Sequence, residues 1–353
     1  MSTAQPNLVS VIMPAYNGRQ YLRQAIDSLF EQTHAEWELV FVDDGSTDDT
    51  AAIAQSYSDP RVRYFHQVNA GQAAALNRGL DEARGEFITT LDVDDWYTPD
   101  SLTARVEKLR QDPSLVAVYG DGVYCTPEGK EIKRFRDLIP VPPEGDILPD
   151  LISNPLFGTG ASIVERRSAL DRYSIRYDET IFWCQDYDFY LRLAEAGPFG
   201  RVAIPTVWYR QHDANMTATM PSERRIGSLF RTKMRVAETD RFAAMGLEPR
   251  ARFFYELLRN DLYGFTALQH RAIESAAFAA LPAHEQARLL RLVGVGYVAN
   301  NSELEFAAEC IGRAKRTLPS DVKSQVLAFL LKLDIRLAQR AVRMWSAPNA
   351  GRA

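Results

Sequence analysis

Leu91-Asp92-Val93-Asp94-Asp95-Trp96 crowds three carboxylates at the end of an apolar run. Like charges so close repel unless something stands between them. A divalent cation, which prefers oxygen ligands, relieves that repulsion. A solvated polar turn is the other stable use of such a triplet. Side chains two apart on a strand share a face, which would aim Asp92 and Asp94 at one site.

The elements that would position these residues are legible on either side. LVSVIM (8–13), WELVFV (37–42), VRYF (62–65) and EFITTL (86–91) read as strands. Between them lie a helix over 21–30, with Leu22, Ile26 and Leu29 on one face, a helix starting near Asp49, and a helix over 71–83. Ser46 or Thr47 is the expected cap of the second helix. Strand and helix in alternation predict an α/β fold with a mostly parallel sheet, helices on both faces and ligands at the carboxyl ends of the strands. The polar clusters fall there: AYNG after the first strand, DDGS after the second, DVDD after the fourth.

Further on, 116–124 reads as a strand running into a turn, 161–170 as a strand entering a helix, and 184–197 as a helix. The proline-rich stretch 138–155 reads as an irregular loop. Beyond Glu223 strand signals disappear, and helical stretches break at Gly246, Pro249, Pro282, Asn300-Asn301 and Pro319. The expected domains are 1–220, α/β, and 221–353, all-helical.

A chain of 353 residues with 46% hydrophobic and 25% charged residues is that of a globular protein with a real core. Its net charge of -5 gives no electrostatic reason to expect nucleic acid as a partner. Three cysteines without a CxxC pair argue against a disulfide framework or a structural zinc. The first residues lack the basic and apolar parts of a signal peptide, and no apolar run reaches the length of a membrane span. The expected location is the cytoplasm, free or peripheral on the inner face of the membrane.

VSVIMPAYNG, VDDGSTDDT, NAGQAAALNRG, GEFITTLDVDDWYTPD and CQDYDFYLRLA follow one another in an order that closely resembles the family 2 glycosyltransferases. These have the GT-A fold, a nucleotide-diphospho-sugar transferase fold with a Rossmann-like sheet. The resemblance runs from about Leu8 to Asn215 and leaves out the helical region. It implies a nucleotide pocket at Pro14, Ala15 and Tyr16, and a nucleoside contact at Asp44 with Asp43 beside it. In the DxD motif it makes Asp94 the metal ligand and Asp92 a ligand of ribose or metal, with Asp95 toward the sugar. Gly71 and Asn77 match a loop–helix element near the donor. Asn77 reads equally as a buried amide satisfying backbone.

The resemblance further makes Asp186 the catalytic base of an inverting transfer, with Gln185 where glutamate is usual. The helix dipole is expected to keep Asp186 ionised. Trp183 is placed toward the acceptor, where stacking on a sugar competes with core packing. Asp188 reads as a solvated charge on the helix face. Arg210 and His212, in WYRQHDANMT, fall near the diphosphate, with His212 a further metal ligand. The implied cofactor is Mn2+ or Mg2+. The implied donor is a nucleotide sugar, UDP first, and the implied acceptor a glycan, lipid-linked or protein-linked hydroxyl in the making of a polysaccharide or glycoconjugate.

Two other readings compete: a metal-dependent nucleotidyltransferase, and a non-catalytic sugar-nucleotide-binding adaptor. PAYNGRQ lacks the glycines and positive charge that a triphosphate loop uses. Near the C-terminus, Lys332, Arg336, Arg340 and Arg343 recur at helical spacing, with Val326, Leu330, Leu333 and Leu337 on another face. That pattern allows peripheral contact with an anionic membrane and equally an ordinary packed helix with a basic outer face. A second copy of the chain is also an allowed partner.

Overall fold

The computed structural model describes residues 4–137, 143–153, 156–213, 215 and 220–346. Parts of the proline-rich segment (138–142 and 154–155), and of WYRQHDANMT (214, 216 and 217), lie outside the described residues. The chain forms two compact units, 1–228 and 229–353.

The first unit is built on a nine-stranded mixed sheet. Its strands are β1 (Gln5–Ala15), β2 (Trp37–Asp43), β3 (Val62–His66), β4 (Gly85–Thr90), β5 (Trp96–Tyr97), β6 (Ala117–Cys125), β7 (Glu131–Arg134), β8 (Ile163–Arg166) and β9 (Phe199–Arg210). They lie in the order β3-β2-β1-β4-β8-β6-β9-β5, with β7 added on β6. β3, β2, β1 and β4 run parallel, and β8 runs antiparallel to both β4 and β6. Every residue of β2 is buried, the continuous pattern of a parallel strand covered on both faces. Helices α1 (Leu22–Phe30), α2 (Thr50–Gln55), α3 (Gln72–Glu82), α4 (Ser101–Gln111), α5 (Leu148–Leu151), α6 (Arg167–Tyr173) and α7 (Gln185–Ala196) complete the unit. α1 buries Leu22, Ala25, Ile26 and Leu29 as one stripe.

The strand order puts the site together. β1 lies between β2 and β4, and Ala15 pairs with Asp43 while Ile12 pairs with Thr90. AYNG therefore emerges between DDGS and DVDD. Gly18 is required there, because a Cβ would come within 2.6 Å of Val93 in the DVDD turn.

Several elements go beyond the sequence reading. α4 carries Leu102, Val106 and Leu109 on its buried face, but Arg105 shares that face and disguises the stripe. Arg105 is fully buried because its guanidinium donates to Ser101 O and Oγ and to Ala161 O. β9 is interrupted in composition by Gly200 and Pro205, and the pairing register with β6 shifts beside Pro205, where the missing N–H costs least. The cap of α2 is not Ser46 or Thr47. Asp48 Oδ1 accepts the Thr50 N–H at 3.0 Å, while Ser46 Oγ accepts from Asn17 N.

Among the described residues, the regular elements of the second unit are all helices. Helices 283–300 and 304–317 pack tightly enough that a Cβ on Gly294 would meet Ile311 at 2.6 Å. Asn301, at φ 52°, ends the first of them. Pro249 does not interrupt a helix. It sits in the first turn of Leu247–Glu256, where its missing N–H has no intrahelical acceptor to lose. The basic C-terminal stretch is two helices, Val322–Leu333 and Ile335–Ser346, broken at Asp334. No described helix is long and apolar enough to cross a membrane.

Candidate active site

The loops after β1 and β2 are stitched to each other. Asn17 Oδ1 accepts Thr47 N at 2.8 Å, and Thr50 Oγ1 accepts Gly18 N at 2.9 Å. Pro14 and Ala15 are buried at the strand end, whereas Tyr16 is 55% exposed and free to meet a ligand. Asp43 closes the DDGS turn: Oδ1 accepts Ser46 N at 2.8 Å and Oδ2 accepts the Tyr64 hydroxyl at 2.6 Å. Asp44 grips the loop before α3, accepting from Gln67 Nε2, Ala70 N and Gly71 N at 2.8–2.9 Å. With three hydrogen bonds received and 3% exposure, it has about one lone-pair site left for a nucleoside. Gly71 adopts φ 93°, a conformation that favours glycine.

Asn77 lies apart from these loops. Its amide donates to Tyr177 O and Glu179 Oε1 and accepts Tyr177 N. It ties α3 to the segment before α7, the buried-backbone role.

The DVDD triplet is a turn, not a strand, with Asp95 N donating to Asp92 O. Strand alternation therefore does not govern where Asp92 and Asp94 point. Asp95 is buried; Oδ1 accepts Arg210 N at 3.0 Å and Oδ2 has no partner among the described residues. Burial, then the charges of Asp94 and Asp92, push its carboxyl well above the ordinary range. Arg210 is only 2% exposed. Its guanidinium donates to Asp94 O, Gln24 Oε1 and Pro127 O and lies over the rings of Tyr21 and Trp96. It braces the DVDD turn, using three of its five N–H groups on Asp94, Gln24 and Pro127.

His212 does meet the triplet. Its Nε2 lies 2.9 Å from Asp94 Oδ2, and Asn215 Nδ2 donates to the same oxygen at 3.3 Å. Asp92 is half-buried and raised to about 7, by burial first and then by the charges of Asp94 and Asp186. Asp92 thus feels one carboxylate from its own turn and one from α7.

Asp186 stands in the first turn of α7, where Oδ1 accepts Tyr187 N at 2.7 Å. Burial raises its carboxyl above the ordinary value and outweighs the backbone hydrogen bonds that lower it. Cys184, at φ 58°, makes the tight entry into this helix. Gln185 Nε2 donates to Gln72 Oε1 at 2.5 Å, and Gln72 Nε2 donates to Asp92 Oδ1 at 3.1 Å. The neutral amide at 185 thereby orients Gln72, and Gln72 orients Asp92. Trp183 is half-buried with Arg225 5.9 Å from its ring. Asp188 is not a solvated charge: it is fully buried and paired with Arg192 at 2.8 Å.

Gln72 and Asn215 were missed from sequence. Gln72 opens a helix whose start faces the strand ends, and Asn215 lies three residues beyond His212; those placements are the signals that point to them. Among the described residues no three His, Cys, Asp or Glu side chains are arranged as a metal shell.

This is the arrangement of a nucleotide-sugar transferase fold, and similarity bears out the class. The family model Glycosyl transferase family 2 matches residues 10–174, and the N-terminal unit belongs to that family. Chondroitin synthase of Escherichia coli is 33% identical over 205 residues, 55% of this chain and 28% of that protein. The chain thus spans under a third of that relative's length. Staphylococcus aureus TarS, solved with UDP-GlcNAc, superposes with a TM-score of 0.59 at 16% identity, over 96% of this chain and 91% of that one. The mannosyltransferase PcManGT of Pyrobaculum calidifontis, solved with GDP-Man and Mn2+, gives 0.53 at 19% identity, over 96% and 88%. The family match ends at residue 174, so Asp186, Arg210 and His212 rest on their geometry.

Proposed function

We propose that the chain transfers a glycosyl group from a nucleoside-diphosphate sugar to a hydroxyl of a glycan, lipid-linked or protein-linked acceptor, with inversion at the anomeric carbon. The observation that carries this reading is the hydrogen-bond chain Gln185–Gln72–Asp92, which links the start of α7, where Asp186 stands, to the DVDD turn. TarS with UDP-GlcNAc supports UDP as the nucleotide, and PcManGT with GDP-Man shows that the fold also takes guanine.

The oxygen and imidazole groups of Asp94, Asp92 and His212 are of the kind a divalent cation takes, although the three are not already set as a shell. Asp94 has His212 beside it, and Asp92 is raised by burial first and then by nearby carboxylates. A bound Mn2+ or Mg2+ there would neutralise charge on the departing diphosphate. The chain's own residues do the rest. Tyr16 and the loops held by Asp44 and Asn17 border the nucleotide, while Arg210 keeps the acidic turn in place. Asp186 takes the proton of the attacking hydroxyl, and its raised carboxyl makes it a stronger base than an exposed aspartate. The new C–O bond forms as the bond to the diphosphate breaks, and the electron pair leaves with the diphosphate oxygen.

Turnover with a panel of UDP-, dTDP- and GDP-sugars, with Mn2+ or Mg2+ and with EDTA, tests the reading. Release of nucleoside diphosphate that EDTA suppresses is expected. Pyrophosphate as product would instead identify a nucleotidyltransferase, and no product with tight donor binding an adaptor.

A further inference from the structure

The helix Val322–Leu333 has two apolar faces. Leu327 and Ser324 are buried against the second unit, as the inner face of any surface helix should be. Yet Val322, Val326, Phe329 and Leu333 are 67%, 39%, 61% and 60% exposed. At about 100° per residue these four fall within an arc of about 60°, on the side away from Leu327. Lys323 and Lys332 fall about 60° beyond either edge of that arc. A helix apolar on both sides is ordinarily buried on both. Here no described residue covers the outer stripe.

The next helix continues the same surface with a different composition. Ala338, Ala341 and Val342 are buried, the exposed Arg336, Arg340 and Arg343 lie on the opposite side, and Leu337 and Met344, 41% and 71% exposed, lie on the flank between. Residues 322–346 hold five cations and one anion, Asp334, although the whole chain is at -5. The stretch is therefore locally cationic around its exposed apolar stripe, within a chain that is acidic as a whole.

We propose that this two-helix surface binds the headgroup region of an anionic lipid bilayer, with the Val322–Leu333 stripe entering the interface and the arginines and lysines meeting the lipid charge. Apolar anchors ringed by cations are the composition that such a surface selects. A second copy of the chain fits less well. A two-fold interface would set Arg336, Arg340 and Arg343 of one copy near the same cations of the other. The surface stands independently of the sugar-transfer reading, since none of its residues belongs to the proposed active site.

The test is co-sedimentation of the full chain with phosphatidylcholine vesicles and with vesicles about one-third phosphatidylserine. Binding to the anionic vesicles, at least about tenfold tighter than to the neutral ones and weakened by salt, is expected. Arg336→Gln with Arg340→Gln and Arg343→Gln should lower partitioning about a hundredfold, at about fivefold per charge. Phe329→Glu with Leu333→Glu should remove it while leaving circular dichroism unchanged, because both side chains are exposed. Equal binding to neutral and anionic vesicles, or none to either, overturns the proposal. So does a concentration-dependent dimer in sedimentation velocity that Phe329→Glu disperses, which would identify a second copy as the occupant.

Discussion

The turns after β2 and β4 are both acidic, both leave the same end of the sheet, and treat their carboxylates in opposite ways. In DDGS, Asp43 accepts from Ser46 N and the Tyr64 hydroxyl, and Asp44 from Gln67, Ala70 N and Gly71 N. Those carboxylates hold loops. In DVDD, Asp95 Oδ2 is buried with no partner among the described residues, and Asp92 and Asp95 are both pushed up by burial first and then by Asp94, with Asp186 adding to Asp92 and Asp92 to Asp95. Carboxylates kept close at an energetic disadvantage are where an added cation gains most. An acidic motif at a strand end thus divides into positioning and ligand-binding members, and hydrogen-bond partners tell them apart.

The sharpest way to break this comparison is to make one substitution on both sides of it. Asp94→Asn should abolish the response of donor binding to Mn2+ or Mg2+ and lower turnover by orders of magnitude. Asp43→Asn keeps an acceptor for Ser46 N and should leave the cation response intact. Asp186→Asn should keep donor binding and lower turnover by about two to four orders of magnitude, the usual contribution of a general base. Equal cation responses in the two turn variants would erase the distinction drawn between them.

A smaller effect is expected from Gln72, which touches Asp92 and belongs to neither acidic turn. Gln72→Met removes the hydrogen bond that orients Asp92 and keeps the side chain's length. Cation affinity, read by titrating Mn2+ against turnover, should fall about 10–100-fold, as for other partners of metal ligands. The limiting turnover at saturating Mn2+ should change much less, since Asp186 is untouched. A drop confined to the limiting turnover would mean that Gln72 acts elsewhere.

How much of this was readable beforehand follows from the range of the interactions. β1 to β4 and α1 to α3 are local patterns of period two or 3.6, and the three polar loops inherit their adjacency from strand order. β9 was invisible because Pro205 and Gly200 argue locally against a strand that β6 and β5 hold from either side. α4 was hidden by Arg105, whose burial depends on carbonyls from α4 and from Ala161. At the site, motif order marked the acidic residues, but partners decided their roles. Arg210 turned inward because Gln24 and Pro127, distant in sequence, were there to receive it. Gln72 carries no charge and no motif; only its contacts with Gln185 and Asp92 reveal it.

Asp44 offers the next test, read as stability. Asp44→Ala leaves the Ala70 and Gly71 N–H groups without their acceptor in a part-buried loop. A loss of about 1–3 kcal/mol, the cost of orphaning buried donors, is expected in denaturant unfolding. Asp44→Asn should recover part of it, because one oxygen remains to accept. If alanine and asparagine behave alike, the loop does not depend on this carboxylate.

The smallest effect is in the pH dependence of stability, and it separates the acidic turn from an acid sealed in the core. Asp92 is raised from 3.8 to about 7 in the folded chain, by burial and then by Asp94 and Asp186. Glu165, buried beside the Tyr190 hydroxyl, is raised from 4.5 to about 8, by burial alone. In both cases the folded chain holds a proton that the unfolded chain has released. The stability each contributes is fully present below its unfolded value and lost as pH rises through the folded one. Without metal, the melting temperature should therefore fall between pH 5 and about 8. Glu165→Gln should flatten the upper part of that fall, and Asp92→Asn the part below about 7. A divalent cation favours the ionised Asp92 and should flatten only the second. Glu165 has no such ligand to gain, so its share should persist at saturating Mg2+. A cation effect of equal size in wild type and Asp92→Asn would place the binding of Mg2+ outside the DVDD turn.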